Sequence, residues 1–257
     1  MQQSRFMFIY GKGNDLMIPH SEGWLGTCSV DNPKDRHVTF ARNREYLWKL
    51  YESGVNVGVF VPNGIDVKGI PLDHIKLYEC SYFEYEFAIF HNEINRDREP
   101  EKDVLSIDII IHPTAVIADG IHEVNGPAGH KIHLKHMGNV VIGSDVRIGP
   151  MSFIERACFD STIIEDGVRI DGLCAIGHNS IIGKNTVIAS GVGVGGSCEI
   201  GRDCWIGGNT YIRNGIKVYS RVVIGCGSAV VKNITEPGIY AGVPAVFKKP
   251  YVEGWNF

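Results

Sequence analysis

The sequence has no strong charge of either sign and no long apolar run. Its 25 Lys and Arg against 29 Asp and Glu leave a formal net charge of −4, which gives no electrostatic footing for nucleic acid or an anionic membrane surface. No stretch approaches the ~18 consecutive apolar residues that a membrane-spanning helix needs. The opening Met1-Gln-Gln-Ser-Arg-Phe-Met-Phe-Ile-Tyr10 has too short an apolar core for a signal peptide, and no small-residue cleavage site follows it. Cysteine is sparse: seven residues, an odd number, with no pair spaced C-x-x-C. That pattern fits small buried residues in a reducing compartment better than a disulfide framework, so the cytoplasm is the expected location. Gly11-Lys-Gly-Asn14 lacks the spacing of a phosphate-binding loop and reads as a turn.

Glycine is abundant, at 31 residues, and a repeat explains its placement. Stepping by six from Ile164 gives Ile170, Ile176, Ile182, Ile188, Val194, Ile200, Ile206, Ile212, Val218, Ile224 and Val230. Neither an amphipathic helix nor a simple strand has a period of six. Gly follows many of these anchors, and a small or β-branched residue sits four positions after each. Cys174, Cys198 and Cys204 occupy that position. The same register appears at Ile142, Ile148 and Ile154, breaks by four extra residues before Ile164, and has an earlier piece at Ile111 and Ile117. The period predicts a mainly β protein. It is a parallel β-helix in which each hexapeptide makes one short strand and one corner, and three close a coil. Residues 18 apart are then stacked at the inter-strand spacing of ~4.8 Å. The helix is expected over residues 105–236, with a loop thrown out over 118–139 and a C-terminal tail over 237–257.

Residues 1–104 lack the repeat and read as a small α/β domain. Phe6–Tyr10 and Val55–Val61 are strand candidates, Glu45–Ser53 a helix stopped by Gly54, and Ser81-Tyr-Phe-Glu84 a capping box. That box would open a helix with Phe83, Phe87, Phe90 and Ile94 on its apolar face. Asn95–Asp103 reads as a charged linker containing Pro100.

The hexapeptide pattern resembles that of the left-handed β-helix acyltransferases, which implies a left-handed coil and a homotrimer with active sites between neighbouring prisms. Four segments sharpen the likeness: Val38-Thr-Phe-Ala-Arg-Asn-Arg-Glu-Tyr46, Ile111-His-Pro-Thr-Ala-Val-Ile117, Asp171-Gly-Leu-Cys-Ala-Ile-Gly-His-Asn179 and Glu236-Pro-Gly-Ile-Tyr240. Their order and spacing resemble the UDP-3-O-acylglucosamine N-acyltransferases of lipid A synthesis over roughly residues 36–245. The resemblance implies a uridine-binding role for Phe40 and Asn43, a catalytic base at His178, an acidic partner at Asp171 and an oxyanion-hole glycine at Gly196. Three features depart from that family. A second histidine position falls on Gly215, the solenoid is shorter, and the chain ends soon after Ala241-Gly-Val-Pro-Ala-Val-Phe-Lys-Lys249. The ending is similar to acetyl-CoA-dependent hexapeptide enzymes, so acetyl-CoA is favoured as donor over acyl carrier protein. A surface polysaccharide then joins lipopolysaccharide as the pathway served.

The residues support this chemistry independently to different degrees. His178 is the only histidine between Ile142 and Val230. An imidazole suits removal of a proton from an amine, although a surface histidine at a corner would look the same. Gly196 lies one coil on, where its N–H could meet an oxyanion, or it could be a plain corner glycine. Asp171 could orient the imidazole, yet the repeat tolerates acidic residues after the anchor. Phe40 and Asn43 could bind a base, or be core and helix cap. His122, His130, His133 and His136 lie in the 118–139 segment. No metal is expected, because the faces of the coil offer only His178. His133 and His136 are expected to reach the acceptor's phosphates or sugar. The expectation is therefore an N-acyltransferase for a nucleotide-linked amino sugar, UDP favoured and dTDP possible, with an acyl thioester as co-substrate and no tightly bound cofactor. The alternatives are an acetyl-CoA-dependent O-acetyltransferase and a non-catalytic scaffold.

Overall fold

A computed structural model describes residues 23–106, 108–120 and 122–251. The expected strand at Phe6–Tyr10 and turn at Gly11–Asn14 lie outside the described residues. Two compact units are present: Met1–Glu99 with Ile121–Lys135, and Pro100–Gly120 with His136–Phe257. No described helix is long and apolar enough to cross a membrane.

The second unit is a left-handed parallel β-helix. Its strands stack into three sheets of six, eight and six strands, parallel except for the closing antiparallel pair of Gly238–Ala241 with Val246–Lys249, where a tail was expected. On the first face, Ile142, Ile164, Ile182, Ile200 and Val218 are register partners in turn. The second face stacks Ile111, Ile148, Ile170, Ile188, Ile206 and Ile224. The third stacks Ile117, Ile154, Ile176, Val194, Ile212 and Val230. Every anchor from Ile142 onward is buried, so one apolar column fills the coil. The small residue four places after the anchor does more than fit. Ser180, Thr186 and Thr210 donate their hydroxyls to the carbonyls of Gly195, Gly201 and Gly225. Cys174, Cys198 and Cys204 donate S–H to the carbonyls of Ala189, Arg213 and Tyr219, each at 3.2 Å. A buried corner carbonyl thus gains a partner, and burial pushes the Cys204 thiol up to about 11, which keeps it protonated and donating.

The first unit holds a parallel four-stranded sheet in the order Gly26–Thr27, His37–Phe40, Val57–Pro62, Ile75–Cys80. Helix α1, Arg44–Ser53, is stopped by Gly54 at φ 69°, a left-handed value that glycine adopts without a Cβ clash. Helix α2 spans Phe83–Ile94. Val57, Val59 and Val61 share a core with Leu47 and Leu50 of α1. Phe60, one step off in the strand, meets Phe87 and Phe90 of α2, as the two-residue strand period requires. The expected capping box does not form. Tyr82 is the N-cap without a side-chain bond, Ser81 Oγ accepts from Asn63 Nδ2 at 3.0 Å, and Glu84 pairs with Arg42.

The segment expected as an extruded loop is structured. Glu123–Asn125 and Lys131–His133 form an antiparallel hairpin that belongs to the first unit. Asn92 of α2 donates to the His133 carbonyl (2.6 Å) and accepts from the Lys135 N–H (2.9 Å). Lys135 Nζ donates to the carbonyls of Asn95 and Arg98 just past the end of α2. A Cβ on Gly126 would overlap the Tyr85 ring, so α2 and the hairpin tip pack in direct contact.

Two buried ionisable groups on α2 oppose each other. Burial pulls His91 down to about 4. Its Nε2–H donates to the Lys135 carbonyl (2.7 Å), and its Nδ1 accepts from the Thr27 hydroxyl (2.6 Å). Burial pushes the Glu86 carboxyl up to about 7, and its Oε2 has no hydrogen-bond partner among the described residues. An unfolded histidine protonates near pH 6.5 and folded His91 only near 4, so stability is lost as pH falls through that window. Folded Glu86 keeps its proton up to about 7 while the unfolded chain releases it near 4.5, so stability is lost as pH rises between them. Glu86→Met removes the second effect alone. Its stability gain over wild type is expected to be ~2 kcal/mol larger at pH 8 than at pH 4.5, measured by denaturant titration at both. An equal gain at the two pH values would show that Glu86 is ionised as in the unfolded chain.

Candidate active site at a corner of the coil

His178 follows the strand Ala175–Ile176, at the corner between the third and first faces. One coil on, the Ser197 N–H donates to the His178 carbonyl at 2.7 Å, which brings Gly196 alongside the imidazole. A Cβ on Gly196 would stand 2.6 Å from Nε2, 2.8 Å from Cε1 and 2.9 Å from Cδ2. The ring therefore lies against this glycine with Nε2 nearest. The corner N–H groups of Ser144, Gly172 and Lys184 are capped by the carboxylates of Asp166, Asp171 and Glu165. The Gly196 N–H has no acceptor among the described residues, which leaves a donor beside Nε2.

The four residues that interrupt the repeat build the wall behind the imidazole. Asn179, at φ 60°, accepts the Cys158 N–H on Oδ1 (3.0 Å) and donates from Nδ2 to the Phe159 carbonyl (2.6 Å). Those two bonds fix the orientation of its amide. His178 Nδ1 lies 3.1 Å from the same Oδ1. A carbonyl-type oxygen only accepts, so Nδ1 carries the proton and Nε2 the lone pair. Cys158 Sγ lies 3.7 Å from Nδ1, and burial raises its thiol far above the usual range, so no thiolate competes with the base. Glu155 Oε2 accepts the backbone N–H of His178 at 3.0 Å. Buried His136 brings its ring to 5.4 Å from that of His178 at 62°.

The remaining expected site residues have structural duties. Asp171 is exposed, at the corner between the second and third faces. Its Oδ1 caps the Gly172 N–H at 2.7 Å, and within one chain it does not orient His178; Asn179 does. The reason is positional: the residue after a second-face anchor belongs to the preceding corner. His133 is exposed on the hairpin with Nδ1 3.7 Å from Glu123 Oε1. Phe40 is half-buried, packed 5.0 Å from the Phe87 ring with the Arg42 guanidinium 5.5 Å over its face. Asn43 caps α1 by accepting the Tyr46 N–H at 3.2 Å. Sequence reading missed Glu155, Cys158 and Asn179. Their signal was the break in the repeat, which places extra backbone next to the one histidine of the coil.

The three stacked faces and the six-residue repeat define the class. Residues 161–196 match the family model described as bacterial transferase hexapeptide (six repeats). Among curated proteins it is similar to the UDP-3-O-acylglucosamine N-acyltransferase of Herminiimonas arsenicoxydans, 44% identical over 134 residues, 52% of this chain and 38% of that protein. The protein of the same description from Acidovorax sp. (strain JS42) is 46% identical over 135 residues, 52% of this chain and 41% of its own length. The matched stretch thus spans about two fifths of these relatives. A solved hexapeptide transferase family protein from Anaplasma phagocytophilum shares 20% identity at a TM-score of 0.43, covering 61% of this chain and 87% of that one.

Proposed function

We propose that the protein is an N-acyltransferase that moves an acyl group from a thioester to the amine of a nucleotide-linked amino sugar. The observation that carries this reading is the His178 imidazole, held as the Nδ1–H tautomer by Asn179 with Nε2 against Gly196. A base and an oxyanion donor side by side are what attack on a thioester requires. The amine nitrogen bonds to the thioester carbonyl carbon while its proton passes to Nε2. The carbonyl oxygen, now negative, takes a hydrogen bond from the Gly196 N–H. Collapse breaks the C–S bond, and the departing thiolate takes the proton from the imidazolium. The relatives' description supplies the acceptor class, a UDP-linked glucosamine.

Phe40 offers a half-buried ring for stacking, and Asn43 keeps its Nδ2 for a ligand while its Oδ1 caps α1. UDP is favoured over dTDP, and acetyl-CoA over acyl carrier protein as donor. His133, exposed on the hairpin, is assigned to acceptor binding; His136, buried with its ring 5.4 Å from that of His178, backs the base instead of touching the acceptor. A homotrimer is supported by the third face, whose outward residues Val116, Phe153, Ala175, Gly193, Tyr211 and Ala229 carry no charge. Met151 and Leu173, exposed at φ 57° and 61°, place bulky apolar side chains at costly left-handed corners beside it. That face ends at the His178 corner, so a second copy there would complete the site.

The test is thiol release from acetyl-CoA and from a 3-hydroxyacyl carrier protein, each with UDP- and dTDP-linked amino sugars and their hydroxyl counterparts. Turnover with an amino sugar and none with its hydroxyl counterpart is expected. Turnover only with the hydroxyl sugars would make this an O-acyltransferase, and no turnover with any pair would favour a scaffold.

A further inference from the structure

We infer that Glu155 is a positioning residue that holds His178 and steadies the imidazolium it becomes, an inference that rests on the acyl-transfer reading above. Two corner carboxylates elsewhere in the coil are balanced by cations. Asp166 pairs with Lys184 and Asp145 with Arg169. Glu155 is half-buried, caps the His178 N–H at 3.0 Å, and pairs with no cation among the described residues. The adjacent Arg156 is turned to Asp103 and Asp119 instead. The carboxylate also has a shaped seat: a Cβ on Gly120 would stand 2.6 Å from Oε1 and 2.7 Å from Oε2. A negative charge is thus held on the backbone of the base residue without a compensating positive one among the described residues.

The missing positive charge appears during the reaction. When the amine's proton passes to Nε2, the imidazolium forms on the residue whose N–H this carboxylate holds, and the carboxylate stabilises it. When the C–S bond breaks and the thiolate takes the proton back, the charge disappears. The other groups of this unit that face the ring are Cys158, kept a neutral thiol by burial, His136 and the Asn179 amide. None of them supplies a negative charge. Asp171, the acidic residue the sequence suggested, caps a different corner.

Glu155→Gln separates the charge from the cap, because the glutamine oxygen still accepts the His178 N–H. The expected result is a fall in kcat of about 10-fold or more, with KM and the thermal midpoint unchanged, and partial rescue by Glu155→Asp. Glu155→Ala, which loses cap and charge, is expected to fall further. Wild-type rates in Glu155→Gln would overturn the proposal and leave Glu155 a structural cap like Glu165. Ring NMR of His178 gives a readout that needs no substrate: the ring is expected to protonate at lower pH in Glu155→Gln than in wild type, and coincident curves would overturn the proposal. If wild type is silent with every substrate pair, the acyl-transfer reading fails while the NMR comparison still decides the charge effect of Glu155.

Discussion

Replacing His178 with alanine is expected to cut thiol release by about 10³-fold, the range a general base contributes, while the coil keeps its thermal midpoint. The side chain lies outside the apolar column: the inward residues of its strand and turn are Ile176 and Ser180, both fully buried. Its backbone bonds, the carbonyl to Ser197 and the N–H to Glu155, survive the substitution. Steady-state kinetics paired with a melting curve checks this. Unchanged turnover would remove His178 as the base. A collapse of the melting transition would mean that the ring holds the corner together.

Gly196→Ala is expected to cost about 100-fold in kcat, the loss that follows when a reacting group is misplaced by about an ångström. The new Cβ would meet three atoms of the imidazole at 2.6–2.9 Å, and the ring is the part that can move. Gly196 is not among the glycines at positive φ, so alanine fits the backbone, and the amide N–H stays in place. A loss with an unaltered melting temperature therefore reports displacement of the base and not loss of the oxyanion donor. Wild-type kcat in Gly196→Ala would mean that Nε2 does not work from the position it holds over this residue.

The period of six made the coil readable because each Ile or Val had one inward position to fill, and those anchors from Ile142 on are buried. The corner chemistry was less readable. Cys198 reads as a small packing residue, yet it also donates to the Arg213 carbonyl fifteen residues on, a partner set by the coil and not by local sequence. Asp171 looks close to His178 in one dimension, but the prism puts it at another corner. Glu155 looks like any acidic residue after an anchor. Only the four-residue break, which shifts the register from Ile154 to Ile176 by 22 residues, sets it and Cys158 against the histidine. Ser81–Glu84 fits a capping box by spacing, and Arg42 wins the glutamate. The hairpin at 123–133 was hidden because its anchors on α2, His91 and Asn92, read as polar surface on a helix already supplied with phenylalanines.

The most direct test of the catalytic account is the tautomer of His178, read by nitrogen-15 NMR of the imidazole at a pH where the ring is neutral. The structure predicts the proton on Nδ1, donated to Asn179, and the lone pair on Nε2 over Gly196. A proton on Nε2 would contradict the account, since that nitrogen could not then accept the proton of an attacking amine.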